Sequence, residues 1–335
     1  MKSKKIFLYT LGLVFSCQSI QDRPDTYLQT TYWHRYQRFL PEDLRFQHES
    51  LPQEEMISIQ GYQIHLDRYP KPAAPCKILL IHGGGGNGRL LGAVALGLRS
   101  INCEIISPDL PGFGLSKIPK SKSYVKYEEW VKVLSELIER ERNPNQKIFL
   151  FGLSIGGMLA YHTAASNLKV DGLIATTLVD PRQTKVRDAI SSNLFLSRLG
   201  MPLNSGFAFF TNGIYLPIRW LSKMESITND PDFSDVFAGD PYAGGSRVSL
   251  GFLKSFLTYQ PELEPEEFHI CPVLLAHPGI DPWTPLPLSQ DFYDRLPGKK
   301  EFVELTGAGH FPYEEPGKTL LFAAAKRFIE RRLNE

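Results

Sequence analysis

The stretch Lys147-Ile-Phe-Leu-Phe-Gly-Leu-Ser-Ile-Gly-Gly157 decides the fold. Lys147 to Phe151 form an apolar run of strand character, and they enter Gly152-Leu-Ser-Ile-Gly156 directly. A helical segment, Ile155 to Leu168, follows at once. This is a G-x-S-x-G turn with a strand before it and a helix after it. Glycines two before and two after the serine keep Cβ atoms out of a tight bend. Ser154 Oγ is then lifted clear of a sheet at a helix N-terminus, where the dipole favours developing negative charge. These residue types in this order predict a nucleophilic serine rather than an ordinary glycine-rich turn.

Strand and helix patterns alternate outward from this point. Glu54 to Gln60 and Tyr62 to Tyr69 read as an antiparallel pair about Gly61. Lys77 to Ile81 is a continuous apolar run, as expected of a strand buried on both faces. It ends in His82-Gly-Gly-Gly-Gly-Asn87. A helix over Arg89 to Ser100 leads to a strand over Glu104 to Ser107 and then to Pro108-Asp-Leu-Pro-Gly-Phe-Gly-Leu-Ser116. Tyr127 to Arg142 has an apolar face at helical spacing, Trp130, Val131, Leu134 and Ile138 among it. Val170 to Val179 is another buried strand. After a long interruption come a strand over Pro272 to Ala276, a helix over Leu286 to Leu296, a strand over Glu301 to Leu305 and a helix over Lys318 to Leu333. Such alternation predicts an α/β fold with a mostly parallel sheet and helices on both faces.

The interruption spans 181–265. Strand pattern stops there, aromatic residues are dense, and prolines break the chain into short pieces. It reads as a mainly helical lid over the sheet edge. The core then divides into 51–180 and 266–335. Residues 17–50 read as a tether followed by a short helix that caps the body.

Residues 1–16 read as a signal peptide. Lys2, Lys4 and Lys5 precede an apolar run, Ile6 to Phe15, that is short for a bilayer span. Val14-Phe-Ser-Cys17 resembles a bacterial lipoprotein signal, which implies lipidation of Cys17 and a membrane-anchored, exported protein. An ordinary signal leaving a secreted or periplasmic protein, or an uncleaved anchor, is the alternative.

Composition narrows the partners. The 335 residues carry a formal net charge of +1, which supplies no electrostatic reason for a nucleic-acid partner. No Gly-Lys-Ser/Thr follows the glycine run, and no dinucleotide fingerprint is present, so no nucleotide cofactor is expected. Cys76, Cys103 and Cys271 show no zinc spacing, so no metal is expected; three cysteines leave a single disulfide open.

A serine nucleophile needs a base, a group that orients the base, and donors for an oxyanion. His310, between Gly309 and Phe311 after the last strand, is the base candidate. His82 opens the glycine turn, where a structural hydrogen bond is expected, and His162 lies on the helix after the elbow as a packed or surface residue. Asp281, in Gly279-Ile-Asp-Pro-Trp-Thr-Pro285, is the acid candidate, with Asp180 at the end of an earlier strand as its rival. The oxyanion candidates are the amides of Ile155 and Gly84, with Gly85 as the neighbour that could replace Gly84.

Taken in order, His82-Gly83, Asp109 to Ser116, Gly152 to Gly156, Gly279 to Pro285 and Gly309-His310 resemble the α/β-hydrolase superfamily over roughly residues 54 to 333. The resemblance implies an eight-stranded sheet, a helical lid after strand six, a structural rather than catalytic Asp109, and a Ser154–His310–Asp281 triad. Serine at the elbow separates this chain from members that use aspartate there. The lid segment is faintly similar to monoglyceride-lipase-like members. The reading is an esterase or lipase-like serine hydrolase acting on a small-molecule or lipid acyl substrate without a cofactor. The same triad could serve a peptidase, thioesterase, acyltransferase or C–C hydrolase, and a silent binding protein on this scaffold is the reading from another class.

Overall fold

Four apolar strands set the centre of the molecule, whose structure is a computed structural model describing residues 23–167, 169–194 and 211–335. β3 (Cys76–Ile81), β5 (Lys147–Gly152), β6 (Gly172–Ala175) and β9 (Val273–Pro278) are buried along nearly their whole length. Strands without a polar face must be covered on both sides. With β1 (Gln53–Ile59), β2 (Tyr62–Tyr69), β4 (Cys103–Pro108) and β10 (Lys300–Leu305) they form an eight-stranded sheet ordered β1-β2-β4-β3-β5-β6-β9-β10. β1 and β2 run antiparallel to their neighbours, and every other pair is parallel. The strand over Val170 to Val179 is shorter than the sequence suggests, because pairing covers only Gly172–Ala175 against β5 and Leu173–Ala175 against β9.

Helices cover both faces. α2 (Gly92–Leu98) packs with the C-terminal helix Gly317–Leu333; α3 (Tyr127–Glu141) packs with α4 (Ile155–Ser166). The apolar stripe of α3 is buried as its spacing requires, with Trp130, Val133, Leu134 and Leu137 fully enclosed. Cys76 and Cys103, opposite each other in the β3–β4 register, form a disulfide, and Cys271 is free and buried.

The described part of the 181–265 insertion holds α5 (Thr184–Ile190), α6 (Ile218–Leu221), α7 (Pro231–Gly239) and α8 (Leu250–Leu257). α7 starts where Asp230 accepts the N–H groups of Asp232 and Phe233, with Pro231 at the first helical position. Strand pattern does not stop here altogether. β7 (Tyr215–Pro217) and β8 (Arg247–Ser249) form a two-stranded ribbon, each too short for alternation to be legible. Residues 195–210, also part of the expected lid, lie outside the described residues.

The N-terminal segment holds the expected short helix on the body, but the packed part begins earlier than expected, at Arg23. Tyr27, Trp33, Tyr36 and Leu44 are buried, and α1 (Tyr32–Tyr36) is one short helix within it. The anchor is a set of ionisable groups under the segment. Arg89, 3 % exposed, donates to both oxygens of Asp67 at 2.6 and 2.9 Å, and its Nη2 lies 3.0 Å from Glu54 Oε1. Glu54 also accepts from Thr26 Oγ1 and from the Tyr27 N–H. Tyr27 Oη donates to Asp109 Oδ2 at 2.9 Å, and Arg23 donates to the carbonyls of Gly112 and Gly114. Glu54, His65 and Asp67 place one donor atom each within 4.8 Å of one another, as a metal site would. The Arg89 guanidinium already bonds two of the three, so the cation of this cluster is the protein's own.

His65 sits between Glu54, at 2.8 Å, and Asp109, at 3.4 Å. Burial by itself would lower its pKa, but Asp109, Glu54 and Asp67 outweigh burial and push it up to about 10. A group raised in the folded state stabilises it fully below its unfolded value and loses that contribution as pH rises through the folded one. Urea unfolding from pH 6 to pH 10 is therefore expected to show stability falling between about pH 6.5 and about 10, with the slope diminished in His65→Gln. Removing Arg89 leaves Asp67 as an unpaired buried carboxylate, and Arg89→Met is expected to cost about 3–5 kcal/mol in the same unfolding measurement.

Candidate active site

The elbow is tight because three backbone segments meet there. A Cβ on Gly152 would fall 2.1 Å from the Gly156 carbonyl, and one on Gly156 would fall 2.2 Å from the Ile81 carbonyl. Only glycine fits either position. Between them Ser154 adopts φ 58°, ψ −131°, a strained backbone for a residue with a side chain. Its N–H donates to Thr176 Oγ1 at 2.9 Å, which ties the bend to the loop after β6.

This bend presents Ser154 Oγ to His310 Nε2 at 2.7 Å, and His310 Nδ1 lies 2.7 Å from Asp281 Oδ2. The order of bonds sets the tautomer. Nδ1–H donates to the carboxylate, so Nε2 is free to accept the serine proton. Asp281 is well satisfied: Oδ1 accepts the N–H groups of Trp283 and Thr284, and Oδ2 accepts the Thr284 hydroxyl at 2.7 Å as well as the imidazole. Burial would raise the Asp281 pKa, but His310 and the Thr284 donors outweigh it and hold the carboxyl far below its ordinary range. It therefore faces the imidazole as an anion near neutral pH. The indole of Trp283 lies against the imidazole, with ring centroids 4.7 Å apart.

The other candidates separate clearly. Asp180 is paired with the Arg182 guanidinium at 2.8 Å, and that guanidinium also reaches Glu264 at 2.6 Å. Asp281, not Asp180, is the carboxylate on His310. His82 is within 2.8 Å of its neighbour's carbonyl at Nδ1 and accepts the Leu110 N–H at Nε2, so it ties the glycine turn to the loop that follows β4. His162 is buried, 2.9 Å from Tyr127 Oη, and burial pushes it down to about 3. Ile155 opens α4, and a first-turn amide has no carbonyl partner within its own helix. Gly84 adjoins it: a Cβ there would lie 3.6 Å from Ile155 Cγ2. Gly85, at φ +71°, faces Met224 and Gly244 of the insertion instead. Cys17 lies outside the described residues.

The serine opens into a narrow apolar cleft walled by Leu90, Ile227, Phe233, Phe237, Trp283 and Phe311. Ile227, Phe233 and Phe237 come from the insertion. The amide of Phe311, next to His310, donates to the Ile227 carbonyl at 2.9 Å, which joins the histidine loop to the insertion. Phe233 and Phe237 belong to the aromatic-dense insertion read from the sequence, whereas Thr176 and Thr284 are not among the candidates read there. Thr284 has a local signal, since it stands three residues after an aspartate in an Asx-type turn. Thr176 has none, because it reaches the elbow from another strand's loop.

Residues 78–321 match the model of the Alpha/beta hydrolase family. Protein phosphatase methylesterase 1 of Bos taurus is 32% identical over 128 residues, 37% of this chain and 33% of that protein. The chain thus spans about a third of the length of that relative. Phospholipase YtpA of Bacillus subtilis is 22% identical over 264 residues, 76% of this chain and 95% of that protein. A monoglyceride lipase structure from Saccharomyces cerevisiae superposes with a TM-score of 0.66 at 16% identity, covering 88% of this chain and 98% of the lipase. The last likeness is one of fold. The family match covers most of the chain, and this protein belongs to the Alpha/beta hydrolase family.

Proposed function

We propose that this hydrolase cleaves carboxylic esters of apolar acyl groups through an acyl-enzyme on Ser154. The observation that carries the reading is the unbroken chain from Ser154 Oγ through His310 to Asp281 at the foot of an apolar cleft. Ser154 attacks the acyl carbonyl while His310 Nε2 takes its proton. Asp281 keeps the imidazole in the required tautomer and stabilises the imidazolium without taking the proton. The amides of Ile155 and Gly84 bind the oxyanion. His310 then protonates the departing alkoxide, and a water activated by the same imidazole hydrolyses the acyl-enzyme. The relatives named as a phospholipase and a methylesterase support ester chemistry.

Two observations support export. The n-region and apolar run before Cys17 have the composition of a lipoprotein signal. The Cys76–Cys103 disulfide suits an oxidising compartment. Among the described residues no helix is long and apolar enough to cross a membrane. In this reading attachment is through lipid on Cys17.

Hydrolysis of nitrophenyl esters tests the chemistry. Ser154→Ala is expected to lower kcat by about 10⁴–10⁶-fold and Asp281→Asn by about 10⁴-fold, with unfolding midpoints near that of the parent. Retained turnover in Ser154→Ala would refute the acyl-enzyme. For the anchor, the full chain expressed in a bacterial host is expected in the membrane fraction, with Cys17→Ala released into the soluble envelope fraction. Equal partition of the two proteins would remove the lipid.

A further inference from the structure

Behind the serine cleft lies a second narrow compartment, and the two share three walls. Leu90, Phe233 and Phe311 line both. The far compartment is closed by residues of the N-terminal segment, Trp33, Tyr36, Leu40 and Phe46, with Ala93 of α2 opposite. We propose that the acyl chain held at Ser154 passes Leu90, Phe233 and Phe311 into this second compartment, so that residues 32–46 set the chain-length limit for a linear fatty acyl group.

This inference rests on the ester reading above and adds the substrate class. Three features carry it. The first is continuity, since Leu90, Phe233 and Phe311 each line both spaces. The second is chemistry. Gln37 and Arg89 also line the compartment, the Arg89 guanidinium already paired with Asp67 and Glu54; the rest of the lining is hydrocarbon and aromatic, and a slot so narrow accepts a methylene chain more readily than a branched or ring acyl group. The third is a rigid end. The Arg89 guanidinium is held by Asp67 and Glu54 and lies 5.0 Å from the Trp33 ring centroid and 5.8 Å from that of Phe46. The two rings that stop the slot are thereby seated on a fixed cation. The N-terminal segment also holds the partition itself. Tyr36 and Phe39 pack on Phe233 with ring centroids 5.2 and 5.6 Å apart, and Tyr36 Oη donates to Asp240 Oδ2 at the end of α7 at 2.8 Å. Residues 32–46 therefore belong to the acyl site rather than to a spacer.

The test is the chain-length profile of kcat/KM on nitrophenyl esters from acetyl to hexadecanoyl. For the parent, kcat/KM is expected to rise by about fourfold per methylene until the second compartment is full. Leu40→Trp, from the N-terminal side, and Ala93→Leu, from the core side, reduce the space and are expected to move the optimum to shorter chains. The ratio of dodecanoyl to hexanoyl kcat/KM should fall by about tenfold or more in each. Leu40→Ala should move the optimum the other way. General damage to the fold lowers every ester alike and leaves the ratio in place. The two filling variants lie on different elements, so misfolding of one leaves the other decisive. Hydrolysis by the parent with one unchanged optimum in all folded variants would overturn the inference and leave the ester reading standing. No hydrolysis, and no labelling of Ser154 by alkyl phosphonates of any length, would overturn both.

Discussion

A serine held at φ 58°, ψ −131° costs on the order of 1–3 kcal/mol, and the surrounding structure exists in a form that sustains it. Gly152 and Gly156 remove the side chains that would collide, and the carbonyl of Ile81 closes on the bend from the neighbouring strand. Thr176 takes the serine amide. Because β3, β5 and β6 are adjacent and parallel, their carboxyl ends converge at this point, and the loops that leave them bring the glycine turn, the elbow and Thr176 together. Reversing or displacing any of the three strands would take away a contact the bend depends on.

The second organising feature is charge kept in the interior. Glu54, His65, Asp67, Arg89 and Asp109 are tied to one another under the N-terminal segment, and Tyr27 and Arg23 carry that segment onto them. Buried ion pairs add little net stability compared with apolar packing, but each is costly to break singly. The consequence is positional. Asp109 also accepts the amides of Gly88 and Leu115, so the network that fastens the N-terminus also shapes the turn before α2 and the loop after β4. Both adjoin the glycine turn through His82.

The apolar side of the site is assembled from pieces far apart in the chain: α2, the insertion, the loop after β9 and the segment before β1. Aromatic rings do most of this joining. Phe233 alone meets Tyr36, Phe39, Phe311 and Tyr313. Large flat side chains bury much area for few frozen rotors, which suits them to bridging elements that share no backbone hydrogen bonds.

What the residues determine by themselves is whatever depends on neighbours in the chain. Alternating apolar periods predict the parallel sheet, and the elbow, Asp281 and His310 each stand just after a strand, where such a sheet gathers its loops. The stripe of α3 is likewise a local pattern. Choices between distant partners belong to the tertiary structure. Asp180 and Asp281 both follow strands, and only the packing of Arg182 on Asp180 and of His310 on Asp281 separates them. Gly84 and Gly85 are equivalent in sequence, but a Cβ on Gly84 would meet Ile155 and one on Gly85 would meet Met224 and Gly244. The pairing of Cys76 with Cys103 follows from strand register. Residues 23–50 have no clean period because their side chains answer to Asp109, Arg89 and Phe233 rather than to a helix or sheet of their own, so their place against the apolar cleft could be decided only by the folded chain.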